Sequence, residues 1–212
     1  FVELAMRLRL LAIVLVLLAS SQAIQITTWP ADITAGDVFC PSPQVTFANA
    51  SSYATAQLAS GQMGGTLWAV PVANVATFTD LVINITGVYS LTFSSGSETI
   101  LKSFTVRPGT PHLMEAKLSE TSNSGVQTSV PFSATVSFRD KRSNIVPVSA
   151  HIHVSGPSAL SGSLQVSTSN GTAHFHNLVV SSSGSHLLKF TSGVSSGTLT
   201  VLASGGSGNS SS

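Results

Sequence analysis

The chain repeats itself, and this internal repeat restricts the possible fold more than any other feature of the sequence. The segment Ala76–Leu81 aligns with Ala173–Leu178, and the offset of 97 residues holds without a gap from residue 64 to residue 96. The identical pairs in this window are Gly65/Gly162, Leu67/Leu164, Ala76/Ala173, Phe78/Phe175, Leu81/Leu178, Val82/Val179, Gly87/Gly184, Leu91/Leu188, Phe93/Phe190, Ser95/Ser192 and Gly96/Gly193. Apart from Ser95/Ser192, these pairs are apolar residues, mostly at alternate positions, and glycines, which a shared fold constrains. The repeat therefore predicts two copies of one folding unit.

The hydrophobic pattern inside each unit has a period of two residues, which is typical of a half-buried strand. Apolar and polar residues alternate through Phe132–Arg139 and through Tyr89–Ser94, and His186, Leu188 and Phe190 repeat the inward positions of the second stretch. Gly, Pro, Asn and Ser interrupt these stretches at intervals of about ten residues, as in sandwiches and barrels. No convincing amphipathic helix follows residue 23. The predicted fold class is all-β.

The composition is that of an extracellular β-protein rather than a nucleic-acid-binding protein. Charged residues make up 8% of the chain and hydrophobic residues 42%, with a formal net charge of +1. Soluble domains usually contain about one quarter charged residues, so Ser, Thr, Asn and Gly must supply the polar surface here. The chain contains no run of Lys or Arg that could follow a phosphate backbone, so nucleic acid is excluded as a partner.

The N-terminus reads as a secretory signal. Met6–Arg9 is a short basic segment, and Leu10–Ala19 is an apolar run of ten residues. That run is too short to span a bilayer and has the length of a signal-peptide core. Ser21-Gln22-Ala23 offers a cleavage pattern, which predicts a signal helix ending at residue 23 and translation starting at Met6. An uncleaved membrane anchor is the weaker alternative.

Both units contain motifs whose order along the sequence resembles that of the bacterial-type immunoglobulin-like repeats. These repeats are related to invasin and filamin modules. Unit 1 contains Ala35–Phe39 followed by Pro43–Phe47, and unit 2 contains a strand leading into the turn Asp140–Asn144. Ser143 stands where this family usually has Gly, and His186 stands where it has Tyr. The resemblance implies tandem β-sandwiches that are used in arrays on cell surfaces and in extracellular adhesins, with no catalytic residues.

The predicted organisation is two immunoglobulin-like sandwiches after the signal helix. The boundaries are a signal peptide at 1–23, a first repeat at 24–107, a linker at 108–111, a second repeat at 112–202 and a Gly/Ser-rich tail or linker at 203–212. The prolines of the short linker predict a stiff connection that holds the units end to end. We expect no membrane span in this segment.

Four Asn-x-Ser/Thr sequences are candidate glycosylation sites, and all four fall where the sandwiches need loops or in the tail. We expect them to be exposed, and to be modified if the source is eukaryotic. Their asparagines are Asn49, Asn84, Asn170 and Asn209.

Two histidine pairs are the most chemically suggestive feature of the chain. Each pair has one residue between its members, which places two imidazoles on one face of a strand, and imidazole is a frequent ligand of Zn²⁺ and Cu²⁺. The members are His151, His153, His174 and His176. An immunoglobulin-like topology puts the two pairs in opposite sheets, facing away from each other. We therefore favour solvated surface histidines and predict no metal and no cofactor.

Three further residues allow two interpretations each. Trp29 and Trp68 could be platforms on which sugars stack, but partly buried packing is the favoured interpretation for both. Cys40 is the only cysteine, so no internal disulfide can form. It is either a buried small hydrophobe, which we favour, or a thiol that pairs between molecules.

Nothing in the sequence predicts catalysis. The chain has no Gly-x-Ser-x-Gly, phosphate-binding or His-Glu-x-x-His motif. Its carboxylates after residue 23 are scattered over both units: Asp32, Asp37, Asp80, Glu98, Glu115, Glu120 and Asp140. We expect a non-catalytic extracellular structural or adhesive module, the N-terminal part of a larger repeat-containing cell-surface or secreted protein. Its partner would be an extracellular protein or glycan. The alternative is a secreted carbohydrate-binding protein that uses loops at one end of a sandwich.

Overall fold

The computed structural model describes residues 24–119, 125–157, 159–193 and 195–205. The predicted signal segment and Asn209 lie outside the described residues. The chain forms two compact units that divide between Arg107 and Pro108. Every regular element within the described ranges is a strand, which confirms the all-β class.

Unit 1 consists of a three-stranded and a five-stranded sheet. The three-stranded sheet has the order β1-β3-β6, and the five-stranded sheet has the order β2-β8-β7-β4-β5. Only β2 runs parallel to its neighbour, β8, among the described pairs of this unit. The strands are β1 Gln25–Thr28, β2 Ile33–Thr34, β3 Gln44–Thr46, β4 Ala54–Leu58, β5 Trp68–Ala69, β6 Val75–Thr77, β7 Gly87–Ser95 and β8 Glu98–Arg107.

Unit 2 consists of a four-stranded and a five-stranded sheet. Their orders are β13-β15-β11-β9 and β10-β17-β16-β12-β14. Here β10 runs parallel to β17. The strands are β9 Leu113–Leu118, β10 Val126–Gln127, β11 Phe132–Arg139, β12 His151–Ser155, β13 Leu160–Ser161, β14 Gln165–Ser167, β15 Thr172–Val180, β16 Gly184–Ser192 and β17 Ser195–Ser204.

Both units have the immunoglobulin-like arrangement that the motifs implied. In each unit the first strand is split: its first part lies in one sheet, and its second part lies parallel to the last strand of the other sheet. Strands β4, β7 and β8 begin 97 residues before β12, β16 and β17 and have the same lengths. The structural repeat thus extends from residue 54 to residue 107, beyond the window that sequence identity defined.

The core of each unit is built from inward-facing residues at alternate positions. Phe78 and Phe93 are buried in unit 1, and Phe175 and Phe190 occupy the same positions in unit 2. Burying a side chain of this size stabilises the fold by about 2–3 kcal/mol. Trp29 lies at the margin of the first core, where its ring centroid is 5.2 Å from that of Phe104. The packing predicted for Trp29 is confirmed.

A glycine is required at one equivalent position in each unit. Gly65 and Gly162 have φ angles of +97° and +110°. A Cβ atom on Gly65 would lie 2.1 Å from the carbonyl oxygen of Asp80, and one on Gly162 would lie 2.0 Å from that of Asn177. No side chain fits there, because the backbone at each glycine passes too close to the backbone of the neighbouring segment. This explains why the glycine recurs in both copies.

Both units contain the hydrogen bond of a tyrosine corner, in which a residue at the start of a strand bonds a carbonyl upstream. The Tyr89 hydroxyl donates to the carbonyl of Ile85 at 3.0 Å. At the equivalent place in unit 2, Nε2 of His186 lies 2.8 Å from the carbonyl oxygen of Ser182. Because a carbonyl oxygen only accepts, His186 must carry its proton on Nε2. The substitution of His for Tyr preserves the bond.

The connection between β11 and β12 is organised by a buried carboxylate. Asp140 accepts hydrogen bonds from the backbone N–H groups of Gly109, Arg142 and Asn144 at 3.0, 2.8 and 2.9 Å. Burial by itself raises the pKa of Asp140, but these bonds outweigh it and hold that pKa below its usual value. Ser143 adopts a φ of +66°, the left-handed conformation for which glycine is usual in this turn.

Candidate functional site

Trp68 lies on β5, an edge strand of the five-stranded sheet of unit 1, and 58% of its surface is exposed. The packing interpretation of Trp68 is therefore wrong. The neighbouring Ala69 takes the inward position, where it pairs with the buried Ala54 and packs against the core. Successive side chains of a strand point to opposite faces, so Trp68 must face outward, beside Thr55.

The outward apolar surface continues along the chain beyond Trp68. Val70 is 62% exposed and Val72 is 76% exposed, while Ala69 and Pro71 between them are half-buried. We call Trp68, Val70 and Val72 together the apolar edge. Contiguous apolar side chains on a surface mark interaction sites, whereas scattered ones need no explanation.

A shallow groove of about 360 Å³ adjoins the apolar edge. It lies between β5 and β6, the edge strands of the two sheets of unit 1. Its lining consists of the apolar edge together with Thr66, Ala69, Val75, Thr77, Phe78 and Thr79. No lining residue is charged, so the groove offers nothing to an ionic ligand.

The nearest carboxylate along the chain is engaged in holding the loop before β5. Asp80 accepts a hydrogen bond from the N–H of Thr66 and another from its hydroxyl, both at 2.8 Å. These bonds from Thr66 lower the pKa of Asp80. Asp80 therefore fixes the approach to the apolar edge and adds no titrating group to the groove.

Unit 2 shows what the same positions look like without an apolar edge. Its residues 97 positions later are Gln165, Ser167 and Ser169, all polar. They are exposed too, and the half-buried residues between them follow the same alternation as in unit 1. The sandwich thus folds with polar residues at these places. The comparison indicates that the apolar side chains of unit 1 serve something other than folding.

The backbone of the apolar edge has groups to which no strand in the described part of the chain is paired. The N–H of Ala56 on β4 donates to the carbonyl of Leu67 at 2.8 Å. In an antiparallel ladder alternate residues hydrogen-bond to the same side, so the N–H and C=O groups of Trp68 and Val70 point to the open edge. Val72 ends this series, because its N–H and C=O both bond to Val75 across a tight turn, at 2.9 and 3.0 Å.

The four histidines are exposed, and the two pairs lie in different sheets, as predicted. His151 and His153 are on β12 of the five-stranded sheet of unit 2, and His174 and His176 are on β15 of its four-stranded sheet. The rings of His174 and His176 are stacked with centroids 6.4 Å apart. Among the described residues, no three or more His, Cys, Asp or Glu side chains are grouped so that they could hold a metal ion.

The candidate glycosylation sites that the structure describes are exposed and lie in connections. Asn49 follows β3, Asn84 precedes β7, and Asn170 is in the turn before β15. The fourth candidate, Asn209, is outside the described residues. Glycan attachment to any of them stays a prediction.

Cys40 is exposed, so the buried-hydrophobe interpretation is wrong. The adjacent Phe39 is 2% exposed and takes the inward position, which leaves Cys40 facing solvent. Sequence reasoning could not choose between two neighbouring apolar residues. The thiol is accessible to a second molecule.

Three described carboxylates outside the groove have ordinary structural partners. Asp32 lies 3.4 Å from the guanidinium of Arg107. Glu115 lies 2.8 Å from Lys117 and 2.7 Å from Arg139, and these partners, with Lys117 the larger influence, lower its pKa. Glu98 accepts hydrogen bonds from the backbone of the connection before β4. These partners hold loops and strands in place.

Sequence reasoning missed Val70 and Val72 as functional candidates. The signal was present in the repeat itself. In the alignment of the two copies, the apolar residues at 68, 70 and 72 correspond to polar residues at 165, 167 and 169. A difference between two copies at solvent-facing positions carries information that neither copy carries alone.

No family model matches the sequence, and no curated protein does either. Similar solved structures include InvD of Yersinia pseudotuberculosis, at 15% identity and a TM-score of 0.45, covering 89% of this chain and 59% of that one. Invasin, a bacterial integrin-binding protein, gives 11% identity and a TM-score of 0.38, with 87% and 39% covered. A glycosyl hydrolase family 2 member from Bacteroides cellulosilyticus has 11% identity and a TM-score of 0.42. That match covers 84% of this chain and 24% of the hydrolase chain.

The chain spans less than two thirds of each of these three structures. Invasin is among the proteins whose modules the sequence motifs resemble. The immunoglobulin-like fold of this chain is established by its own strand order. Across the described residues, no helix has the length and apolar character needed to cross a membrane.

Proposed function

We propose that this chain is a non-catalytic extracellular structural and adhesive module, the N-terminal part of a larger repeat-containing cell-surface or secreted protein. The observation that carries the proposal is the apolar edge of unit 1. Unit 2 forms an equivalent sandwich with polar residues at the corresponding positions. A purely structural repeat gains nothing from exposing an indole and two valines to water. An adhesive surface gains affinity from burying them.

The arrangement of titratable groups supports a non-catalytic role. General acid–base or nucleophilic chemistry needs groups that converge on one reacting atom. The described carboxylates that have partners instead hold separate turns and strand ends, as Asp80, Glu98 and Asp140 do. Three surface histidines, His151, His174 and His176, have a hydroxyl within hydrogen-bond distance of Nδ1, the shortest being 2.9 Å from His151 to Ser167.

Secretion is the first part of the proposal to test. The full chain would be expressed in a host with a secretory pathway, and the product in the medium would be analysed by N-terminal sequencing. We expect a start at Ile24 and, in a eukaryotic host, a mass that falls when N-glycans are removed enzymatically. A cytosolic product that retains the apolar segment would overturn the extracellular assignment.

Adhesion is tested with beads that carry the purified chain. We expect such beads to bind to cells or to each other, and to lose most of this binding when Trp68→Gln, Val70→Ser and Val72→Ser are introduced together. A matched control replaces Leu187 and Leu202, exposed leucines of unit 2, by Ser. Equal binding by both variants would show that the apolar edge is not the adhesive surface.

Carbohydrate binding is the second candidate, and the exposed indole of Trp68 beside the neutral groove favours it. The groove also contains the hydroxyl side chains of Thr77 and Thr79. However, Val70 and Val72 offer neither an aromatic face nor hydrogen bonds to a sugar, so adhesion to an apolar protein surface fits the site better. Trp68 also lies on an edge strand, whereas the sequence hypothesis placed the site in end loops. A glycan array probed with the chain and with Trp68→Ala decides between them.

A further inference from the structure

We infer that the apolar edge of unit 1 pairs with the same edge of a second copy of the chain, strand against strand across β5. The inference rests on the proposed adhesive function and names its partner. A natural homo-oligomer most often has two-fold symmetry, in which one surface binds its own copy. Such a surface must be complementary to itself in shape, hydrogen bonding and charge.

The hydrogen-bonding groups of β5 meet that requirement. Trp68 and Val70 both direct their N–H and C=O groups to the open edge, as the ladder between β4 and β5 shows. An antiparallel pairing that sets Trp68 of one copy opposite Val70 of the other joins these groups in four backbone hydrogen bonds. The two-fold axis then passes between the two Ala69 residues. Val72 closes the pairing at its end because its backbone is already bonded to Val75.

Pro71 does not interrupt the pairing. Its position in the alternation is that of Leu67 and Ala69, which face β4. The N–H that proline lacks is therefore missing from the side toward β4, and the open edge keeps its donors. Proline in an edge strand usually blocks association, but here it stands at a place where it does not.

The side chains of β5 match their own copy as well. In the same pairing the indole of Trp68 lies beside Val70 of the second copy, on the outer face of the joined sheet. The register of β4 with β5, extended by one residue, places the exposed Tyr53 across from Val70 and widens the apolar surface. Apolar side chains would thus cover one another along the whole contact.

Charge favours a second copy over a charged partner. From Thr66 to Thr79 the sequence contains no Lys, Arg, Asp or Glu. Two copies therefore approach without like-charge repulsion, and an acidic or basic partner finds no complementary charge. Unit 2 cannot replace unit 1 in this contact, because its polar residues at 165, 167 and 169 gain nothing from burial.

The contact involves few residues and is smaller than the usual stable interface, so we expect weak pairing between free molecules. Many copies on one surface would strengthen it through multivalency, as adhesion between surfaces requires. An open, uncharged edge strand is also the kind of surface to which an extended segment of another protein adds a strand. That occupant would show no self-association.

The test is sedimentation velocity on the full chain purified from culture medium, over about a hundredfold range of concentration. A reducing agent is present so that the exposed Cys40 cannot link two molecules. We expect the weight-average sedimentation coefficient to rise with concentration toward that of a dimer. Replacing the apolar edge by its unit 2 counterparts, as Trp68→Gln, Val70→Ser and Val72→Ser, should weaken self-association at least about tenfold.

Two controls make the result decisive. Circular dichroism and thermal unfolding check that the triple variant folds, which we expect because unit 2 folds with those residues at the same positions. The variant Leu187→Ser with Leu202→Ser removes two apolar side chains that are 59% and 58% exposed elsewhere. It should associate as the parent chain does.

Two outcomes would overturn the inference. One is a parent chain that stays monomeric at every concentration, and the other is a triple variant that associates as strongly as the parent. If the chain is monomeric but the beads still bind cells through the apolar edge, the adhesive function stands and the occupant is a different protein. The inference and the proposed function can therefore fail separately.

Discussion

The two units have the same strands but have divided the functional residue types between them. Both tryptophans and both tyrosines are in unit 1, and all six histidines are in unit 2. The inward-facing positions, such as Phe93 and Phe190, are nearly the same in both. The difference teaches that the sandwich constrains what faces the core and leaves the outer faces free to specialise. Unit 1 has specialised toward an apolar edge.

The connections before β4 and β12 differ in a second way. In unit 1 the connection is short, and Glu98 on β8 reaches across to accept from the N–H groups of Ala48 and Asn49, both at 2.8 Å. In unit 2 it is longer, and Asp140 within it accepts from its own turn and from Gly109. Each unit thus ties this loop to the sandwich with one carboxylate, but only Asp140 is buried.

The largest expected effect tests whether the two cores are equivalent. Phe93→Ala and Phe190→Ala should each lower the free energy of unfolding of their own unit by about 3–5 kcal/mol, since each leaves a large buried cavity. Tryptophan fluorescence reports on unit 1 and imidazole NMR signals report on unit 2, because each residue type occurs in one unit only. A loss below about 1 kcal/mol in either unit would contradict the equivalence.

The next effect should separate the two loop carboxylates. Asp140→Ala leaves buried N–H groups without an acceptor and should cost about 2–4 kcal/mol, whereas Glu98→Ala should cost about 1 kcal/mol because water can replace the side chain. Chemical denaturation followed by the same two probes measures both. Asp140→Asn, which keeps one acceptor oxygen, should fall between them. Equal losses at the two sites would remove this distinction.

Acid should lower the stability of unit 2 more than that of unit 1. The loss in unit 2 should be smaller than the loss that Asp140→Ala causes. Hydrogen bonds hold the pKa of Asp140 below its unfolded value. Lys117 and Arg139 hold the pKa of Glu115 below its unfolded value. The unfolded chain therefore takes up protons first, and stability falls as the pH drops from about 5 to about 2. In unit 1 the bonds from Thr66 lower the pKa of Asp80, but Asp80 is less buried than Asp140, so water screens it more and its contribution is smaller. Denaturation midpoints for each unit, with Asp140→Asn as control, measure the difference.

The smallest effect concerns the corner hydrogen bonds. Tyr89→Phe and His186→Phe should each cost about 1 kcal/mol, the usual contribution of one such bond. His186→Tyr should retain stability, since the hydroxyl can donate to the same carbonyl. Nitrogen-15 NMR should show that the neutral imidazole of His186 is protonated at Nε2. Protonation at Nδ1 instead would mean that the two corners are not alike.

The sequence by itself determined the fold class, the two units and most of their cores. A period of two residues admits strands and excludes helices, and a second copy shows which apolar positions recur. It also indicated that all four imidazoles of the two histidine pairs point outward, because Ile152 and Phe175, which lie between their members, read as core residues, and both are buried. These properties depend on neighbours along the chain, which a sequence displays.

Only the tertiary structure decided which of two adjacent apolar residues faces the core. Trp68 beside Ala69 and Cys40 beside Phe39 give patterns that fit either choice, and the pairing of β5 with β4 exposes Trp68. The burial of Asp140 was equally hidden, because one of its donors, Gly109, is far from it in sequence. Exposure depends on what packs from across the sandwich, and local alternation carries no record of that contact.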